Sequence, residues 1–82
     1  MIFYVYMLKS VNNKIIKTYV GYTNNLKLRL KKHNTNKGAK STRGFKWKII
    51  YTKKFYDKGL AMSFEYELKK NKKMRKYLLS FD

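Results

Sequence analysis

The chain has 82 residues, with 21 Lys+Arg against 4 Asp+Glu and a formal net charge of +17. That length excludes a multi-domain architecture, and that charge makes nucleic acid the first partner to consider and an anionic membrane surface the second. Cysteine is absent, which excludes disulfide staples and thiolate metal sites, while apolar residues at 44% and aromatics at 17% argue for a small folded core.

No stretch is apolar and long enough to span a bilayer. The opening M-I-F-Y-V-Y-M-L has no basic region ahead of it and no small-residue cleavage site, so it reads as a strand and not a signal peptide. The expected location is intracellular.

Residues 2–9 alternate and are rich in Ile, Phe, Tyr and Val, the pattern of a strand with Tyr4 and Tyr6 on one face and Phe3, Val5 and Met7 on the other. Residues 10–14 form a turn with Asn12 and Asn13 at its tip, and residues 15–22 form a second strand, giving an antiparallel hairpin. Gly21 near its end permits a bend or a close backbone approach. Thr23, Asn24 and Asn25 are N-cap types, and a helix follows from Leu26, with Leu26 and Leu30 one turn apart and Arg29 and His33 in a parallel stripe. Residues 34–46 are polar, basic and glycine-containing, a long loop of the kind that carries function. A third strand runs from Trp47 to Tyr56, and Asp57 caps a second helix on which Leu60, Ala61, Phe64 and Leu68 recur at helical spacing. Asn71 interrupts the basic run 69–76, and a last helix carries Met74, Tyr77, Leu78 and Phe81. The expected fold is α+β over residues 1–82 as one domain: a small three-stranded antiparallel sheet flanked by helices, in the order β-β-α-β-α with a final α.

Three groups of residues carry chemistry. The strand tyrosines Tyr6 and Tyr19 with Arg29 and His33 offer phenols, an imidazole and a guanidinium, whose fork matches two phosphate oxygens. A tyrosine serves as a base when neighbouring cations depress its pKa, and the +17 charge favours that. The second group is the acids: Asp57 is a cap, Asp82 is terminal, and Glu65 and Glu67 flank the apolar stripe of the second helix, with helix geometry choosing neither. One carboxylate supports a one-metal site for Mg²⁺ or Mn²⁺ and not a two-carboxylate mechanism. The third is K-G-A-K-S-T-R-G-F-K-W at 37–47, whose glycines, hydroxyls and cations suit a phosphate backbone although the Walker A spacing is absent. Lys40, Thr42 and Arg43 are its expected substrate contacts, and Lys69 opens a further basic run. From composition alone the bland readings weigh more: strand aromatics, a solvated Arg, Glu65 paired with Lys69 at i+4, and Trp47 in the core.

Taken together these residues resemble the GIY-YIG nuclease family. Tyr4-Val5-Tyr6 stands in the first motif, with Tyr6 in the tyrosine place and Tyr4 replacing the usual glycine; Tyr19-Val20-Gly21 stands in the second. The run Y-V-G-Y-T-N-N-L-K-L-R-L-K-K-H-N places Arg29 and His33 at the family's Arg and His positions, and A-M-S-F-E-Y places Glu65 at its metal-binding glutamate. The likeness covers roughly residues 3–70 and points to the small stand-alone members and to the structure-specific branch, whose Cys-rich zinc module has no counterpart here. The resemblance implies an endonuclease that hydrolyses DNA with one divalent metal, Mg²⁺ or Mn²⁺, on structured, branched or single-stranded substrates in repair or recombination. Tyr6 or Tyr19 then helps activate water, Arg29 stabilises the phosphate, His33 assists by hydrogen bonding or proton transfer, and Glu65 holds the metal. A scaffold protein or homodimer would supply specificity, since few side chains remain to read bases; no small-molecule cofactor is expected. The competing reading is a basic DNA- or RNA-binding module without catalysis, and a membrane-surface role ranks last because no helix has the required apolar face.

Overall fold

The computed structural model describes residues 1–12 and 14–82. Strand β1 spans Phe3–Val11, β2 Thr18–Thr23 and β3 Lys46–Phe55; helix α1 spans Leu26–Asn34, α2 Lys58–Lys70 and α3 Lys72–Leu79, with a short 3-10 turn at Lys40–Thr42. The expected α+β order is therefore present. The sheet is antiparallel throughout, in the order β2-β1-β3.

The central strand is buried on both faces because side chains alternate along it. On one face Tyr6 and Leu8 pack with Trp47 and with Leu26 and Leu30 of α1. On the other, Val5 and Met7 pack with Val20, with Ala61 and Leu68 of α2, and with Leu78 of α3. The result is three layers with one helix on one side and two on the other. A bulge between Met7 and Leu8 in the β1–β3 pairing leaves Ile50 between the partners Tyr51 and Ile49. That extra residue is why Ile49 joins the α1 side while Ile50 and Tyr51 both join the other.

The capping residues act as expected. Asn25 Oδ1 accepts from Leu28 N–H at 3.1 Å, and Asp57 Oδ1 accepts from Gly59 N–H at 2.7 Å. Asn71 ends α2 and caps α3, accepting from Met74 N–H at 2.9 Å.

Three boundaries differ from expectation. The second strand begins at Thr18 and not at residue 15: Lys9 and Thr18 are the last paired residues, so Ile15 and Ile16 lie in the connection, 75% and 54% exposed. The first strand instead runs on to Val11, because β3 continues to pair with it out to Lys46. Phe81 lies beyond α3 and is exposed, as is Tyr77, so the inner face of that helix is built from Met74, Leu78 and Leu79. Of the expected turn tip, Asn12 adopts the left-handed φ of 63°; Asn13 lies outside the described residues. Among the described residues no helix is long and apolar enough to cross a membrane. Strand β3 forms one edge of the sheet, and its Lys46, Lys48, Lys53 and Lys54 are exposed.

Candidate active site

Tyr6 projects from the central strand onto the α1 face, directly opposite Gly21 of β2. A Cβ at residue 21 would lie 2.6 Å from the Tyr6 phenol oxygen and 2.8 Å from its ring, so only glycine leaves the ring its place. Two positions along β2 on the same face stands Tyr19, opposite Leu8. From α1, Arg29 and His33 face both phenols. Arg29 Nε donates to Tyr6 Oη at 3.3 Å, Tyr6 Oη and His33 Nε2 lie 2.8 Å apart, and the Tyr19 and His33 ring centroids are 4.9 Å apart. Tyr19 is a second, weaker partner of the guanidinium.

Burial sets the charge states. Tyr6 is 2% exposed and His33 is fully buried. Burial pushes the Tyr6 phenol up to about 12, with the Arg29 hydrogen bond offsetting part of it and the charge of Glu65 adding to it. This corrects the expectation that the domain's cations depress this tyrosine: one guanidinium does not outweigh the loss of solvent. Burial and, second, the Arg29 charge push His33 down to about 4. At neutral pH the resting site therefore holds a neutral phenol against a neutral imidazole beside a guanidinium, whose own pKa the Tyr6 hydrogen bond raises.

Folding separates the two glutamates that helix geometry left open. Glu65 is mostly buried, meets Lys69 Nζ at 3.4 Å, and lies close enough to Tyr6 to act on it electrostatically. Glu67 is exposed and borders a shallow cleft with Asn71 and Met74. No group of three His, Cys, Asp or Glu side chains converges among the described residues. A single carboxylate near the phenol suits at most one hard cation, whose remaining ligands would have to come from water and a phosphate.

Two open clefts border β2 on either side of this cluster. One of about 290 Å³ is lined by Tyr22, Asn24, Asn25, Arg29 and Lys32; the other, about 240 Å³, by Thr18, Tyr19, Lys69 and Arg75. Arg75 braces the second by donating to the carbonyls of Leu68 and Lys69 at the end of α2.

The basic loop behaves differently from its reading as a row of substrate contacts. Lys40 and Arg43 are exposed, but Thr42 between them is fully buried and corrects that expectation: its hydroxyl lies 2.9 Å from His33 Nδ1 and donates to the Ala39 carbonyl at 2.7 Å. A phosphate has no access to a side chain buried in this way. The loop is drawn inward by three further contacts. Gly38 has no room for a Cβ, which would lie 2.5 Å from His33 Nδ1. Asn34 Oδ1 accepts from Trp47 N–H at 2.6 Å while its amide donates to the Trp47 carbonyl at 3.1 Å. Trp47 Nε1 donates to the Thr42 carbonyl at 2.9 Å, so Trp47 is core and not a base-stacking platform. Sequence reasoning missed the inward roles of Asn34, Gly38 and Thr42, which rest on contacts that only the fold brings together.

Paired phenols on adjacent strands, with an Arg and a His from the following helix and a lone glutamate from the next, make a site whose side chains suit chemistry on a phosphate. The model of the GIY-YIG catalytic domain matches residues 2–78, and the chain belongs to that family. A catalytic domain of this family implies a nuclease, and its nucleases act on DNA. Its relatives include a UPF0213 protein of Oceanobacillus iheyensis, 44% identical over 77 residues that cover 93% of this chain and 86% of the relative. A UPF0213 protein of Natronomonas pharaonis is 35% identical over 80 residues, covering 96% and 91%. The solution NMR structure of a UPF0213 protein from Bacillus halodurans matches the fold with a TM-score of 0.54 at 37% identity, over 100% of this chain and 86% of that one.

Proposed function

We propose that the protein is a metal-dependent DNA endonuclease that hydrolyses phosphodiester bonds in structured, branched or single-stranded DNA, in repair or recombination. The observation that carries this reading is the Arg29–Tyr6–His33 hydrogen-bonded series, in which a neutral imidazole nitrogen 2.8 Å from a phenol oxygen stands ready to take its proton.

The residues divide the work as follows. Arg29 spends Nε on Tyr6, which leaves its terminal N–H groups for two phosphate oxygens in the cleft it lines. The Tyr6 oxygen, with one lone pair on Arg29, has a second to accept a proton from an attacking water as its own proton passes to His33. With the phenol near 12 and the imidazole near 4, that proton stays on Tyr6 in the resting site. Transfer therefore belongs to the transition state, when negative charge accumulates on the phosphate. Glu65 is the residue that would hold Mg²⁺ or Mn²⁺; once neutralised by a cation it no longer helps to hold the Tyr6 phenol up. Such an ion would supply Lewis acidity for the developing negative charge. Tyr19, half-buried and lining the second cleft, orients the substrate. Lys40 and Arg43 grip the flanking backbone, and Lys69, now beside Glu65, would be free to pair with a phosphate were Glu65 to hold a cation.

The test is a cleavage assay on labelled single-stranded, duplex and 5′-flap DNA with Mg²⁺, Mn²⁺ or EDTA, comparing wild type with Glu65→Gln. Metal-dependent cutting that the variant loses supports the reading, and the preferred DNA identifies the substrate class. Binding to every DNA with no cutting under any metal would instead make this a binding module.

A further inference from the structure

Three hydrogen bonds in series behind Tyr6 have one consistent direction. The Ala39 carbonyl oxygen can only accept, so Thr42 Oγ1, 2.7 Å away, gives it its single proton. Thr42 Oγ1 can then only accept at His33 Nδ1, 2.9 Å away, so Nδ1 carries the imidazole proton. Nε2 is left bare, and its lone pair faces Tyr6 Oη at 2.8 Å. Read this way, every buried side-chain nitrogen and oxygen among the described residues has a partner.

We propose that Thr42 is a positioning residue that fixes His33 as the Nδ1–H tautomer, and so makes Nε2 the proton acceptor for Tyr6. The opposite tautomer, which free histidine favours, would aim Nε2–H at a phenol oxygen that Arg29 Nε already occupies as donor. The phenol proton would then have no acceptor. The orientation of the imidazole is therefore set by a backbone carbonyl in the basic loop, two steps from the ring. The same short turn carries exposed Lys40 and leads into exposed Arg43. It grips a phosphate backbone on its outer side and seats the histidine on its inner side. The catalytic consequence rests on the nuclease reading; the tautomer does not.

His33 is the only histidine in the chain, so its ring nitrogens give unambiguous signals in ¹⁵N NMR. At pH 7 the wild type is expected to show a protonated Nδ1 and an unprotonated Nε2. Thr42→Val, which keeps the shape and removes the hydroxyl, shifts the population toward Nε2–H; Thr42→Ser restores the wild-type pattern. Should Thr42→Val not fold, Thr42→Ala removes the same hydroxyl with a smaller steric demand. In single-turnover cleavage the hydroxyl-free variants lose roughly 10- to 100-fold in rate, the range found where a partner that orients a metal-bound histidine is removed. Their DNA affinity stays at the wild-type level and Thr42→Ser recovers the rate, whereas Lys40→Gln and Arg43→Gln lower affinity and leave the tautomer untouched. A wild-type ring protonated on Nε2, or a hydroxyl-free variant with the wild-type tautomer, overturns the assignment. If the wild type cuts no DNA, the nuclease reading falls while the NMR pattern still decides what Thr42 does.

Discussion

Gly21 and Tyr6 face each other across the β1–β2 pair, and the Tyr6 phenol fills the space where a side chain at residue 21 would stand. Gly21→Ala forces a methyl group to within 2.6 Å of the phenol oxygen and 3.0 Å of the Tyr19 ring, so two packed rings have to give way. We expect a loss of about 1–3 kcal/mol, the ordinary cost of overpacking, measured by denaturant unfolding. Combining it with Tyr6→Leu, which removes the ring, should recover part of that loss; strict additivity of the two would contradict the steric account.

Tyr6→Phe separates the chemistry from the packing. The ring still fills its site, so the fold is kept at a cost of about 1–3 kcal/mol for the buried His33 Nε2 left without a donor, but the oxygen that joins Arg29 to His33 is gone. Cleavage should fall by roughly 100- to 10,000-fold, the range for removing a general acid–base group. A variant that cuts at the wild-type rate would shift the proton-transfer role to Tyr19.

Acid should unfold the protein through His33. Its folded-state pKa is depressed to about 4 from an ordinary 6.5, so between those values the unfolded chain binds more protons and stability falls as pH falls. The gap corresponds to about 3 kcal/mol at most. Urea melts from pH 7 to pH 4 should show this slope, and His33→Gln should flatten it; an unchanged slope in the variant would place the acid sensitivity elsewhere.

The loop clamp is testable through Asn34→Ala, which leaves the buried Trp47 N–H without its acceptor. The expected loss is about 1–3 kcal/mol, with faster hydrogen exchange in residues 37–45. On the outside of that loop, Lys40→Gln and Arg43→Gln should each reduce the slope of log affinity against log salt by about one unit without changing where DNA is cut.

Most of the element order was legible in the sequence because alternation in the strands and helical spacing in 61–68 are local signals. The cluster was legible for the same reason: Arg29 and His33 share a helix stripe, and Tyr6 and Tyr19 each have a definite strand face. What failed was non-local. Ile15 and Ile16 have strand propensity but no partner to pair with once Lys17 turns toward Ser10, so they stay in the connection. Ile50 gave no hint of a bulge, since I-I-Y reads equally well as a regular strand. Thr42 looked like a phosphate contact among cations, yet a buried imidazole nine residues earlier required an acceptor and took its hydroxyl inward. Helix geometry alone did not separate Glu65 from Glu67, and only the resemblance chose Glu65; the physical reason came with the packing of Ala61 and Leu68, which shows which side of α2 faces the sheet.

The lysines of β3 have a consequence beyond any grip on a polyanion. A ten-residue strand at the rim of a sheet presents unpaired amide and carbonyl groups on which a second copy can add, the first step of sheet-to-sheet aggregation. Lys48 pairs with Asp82 at 2.6 Å, but Lys46, Lys53 and Lys54 place three like charges along that rim, so two copies approaching rim to rim meet the repulsion of six. The lysines suited to a polyanion thus also oppose edge-to-edge pairing of the sheet.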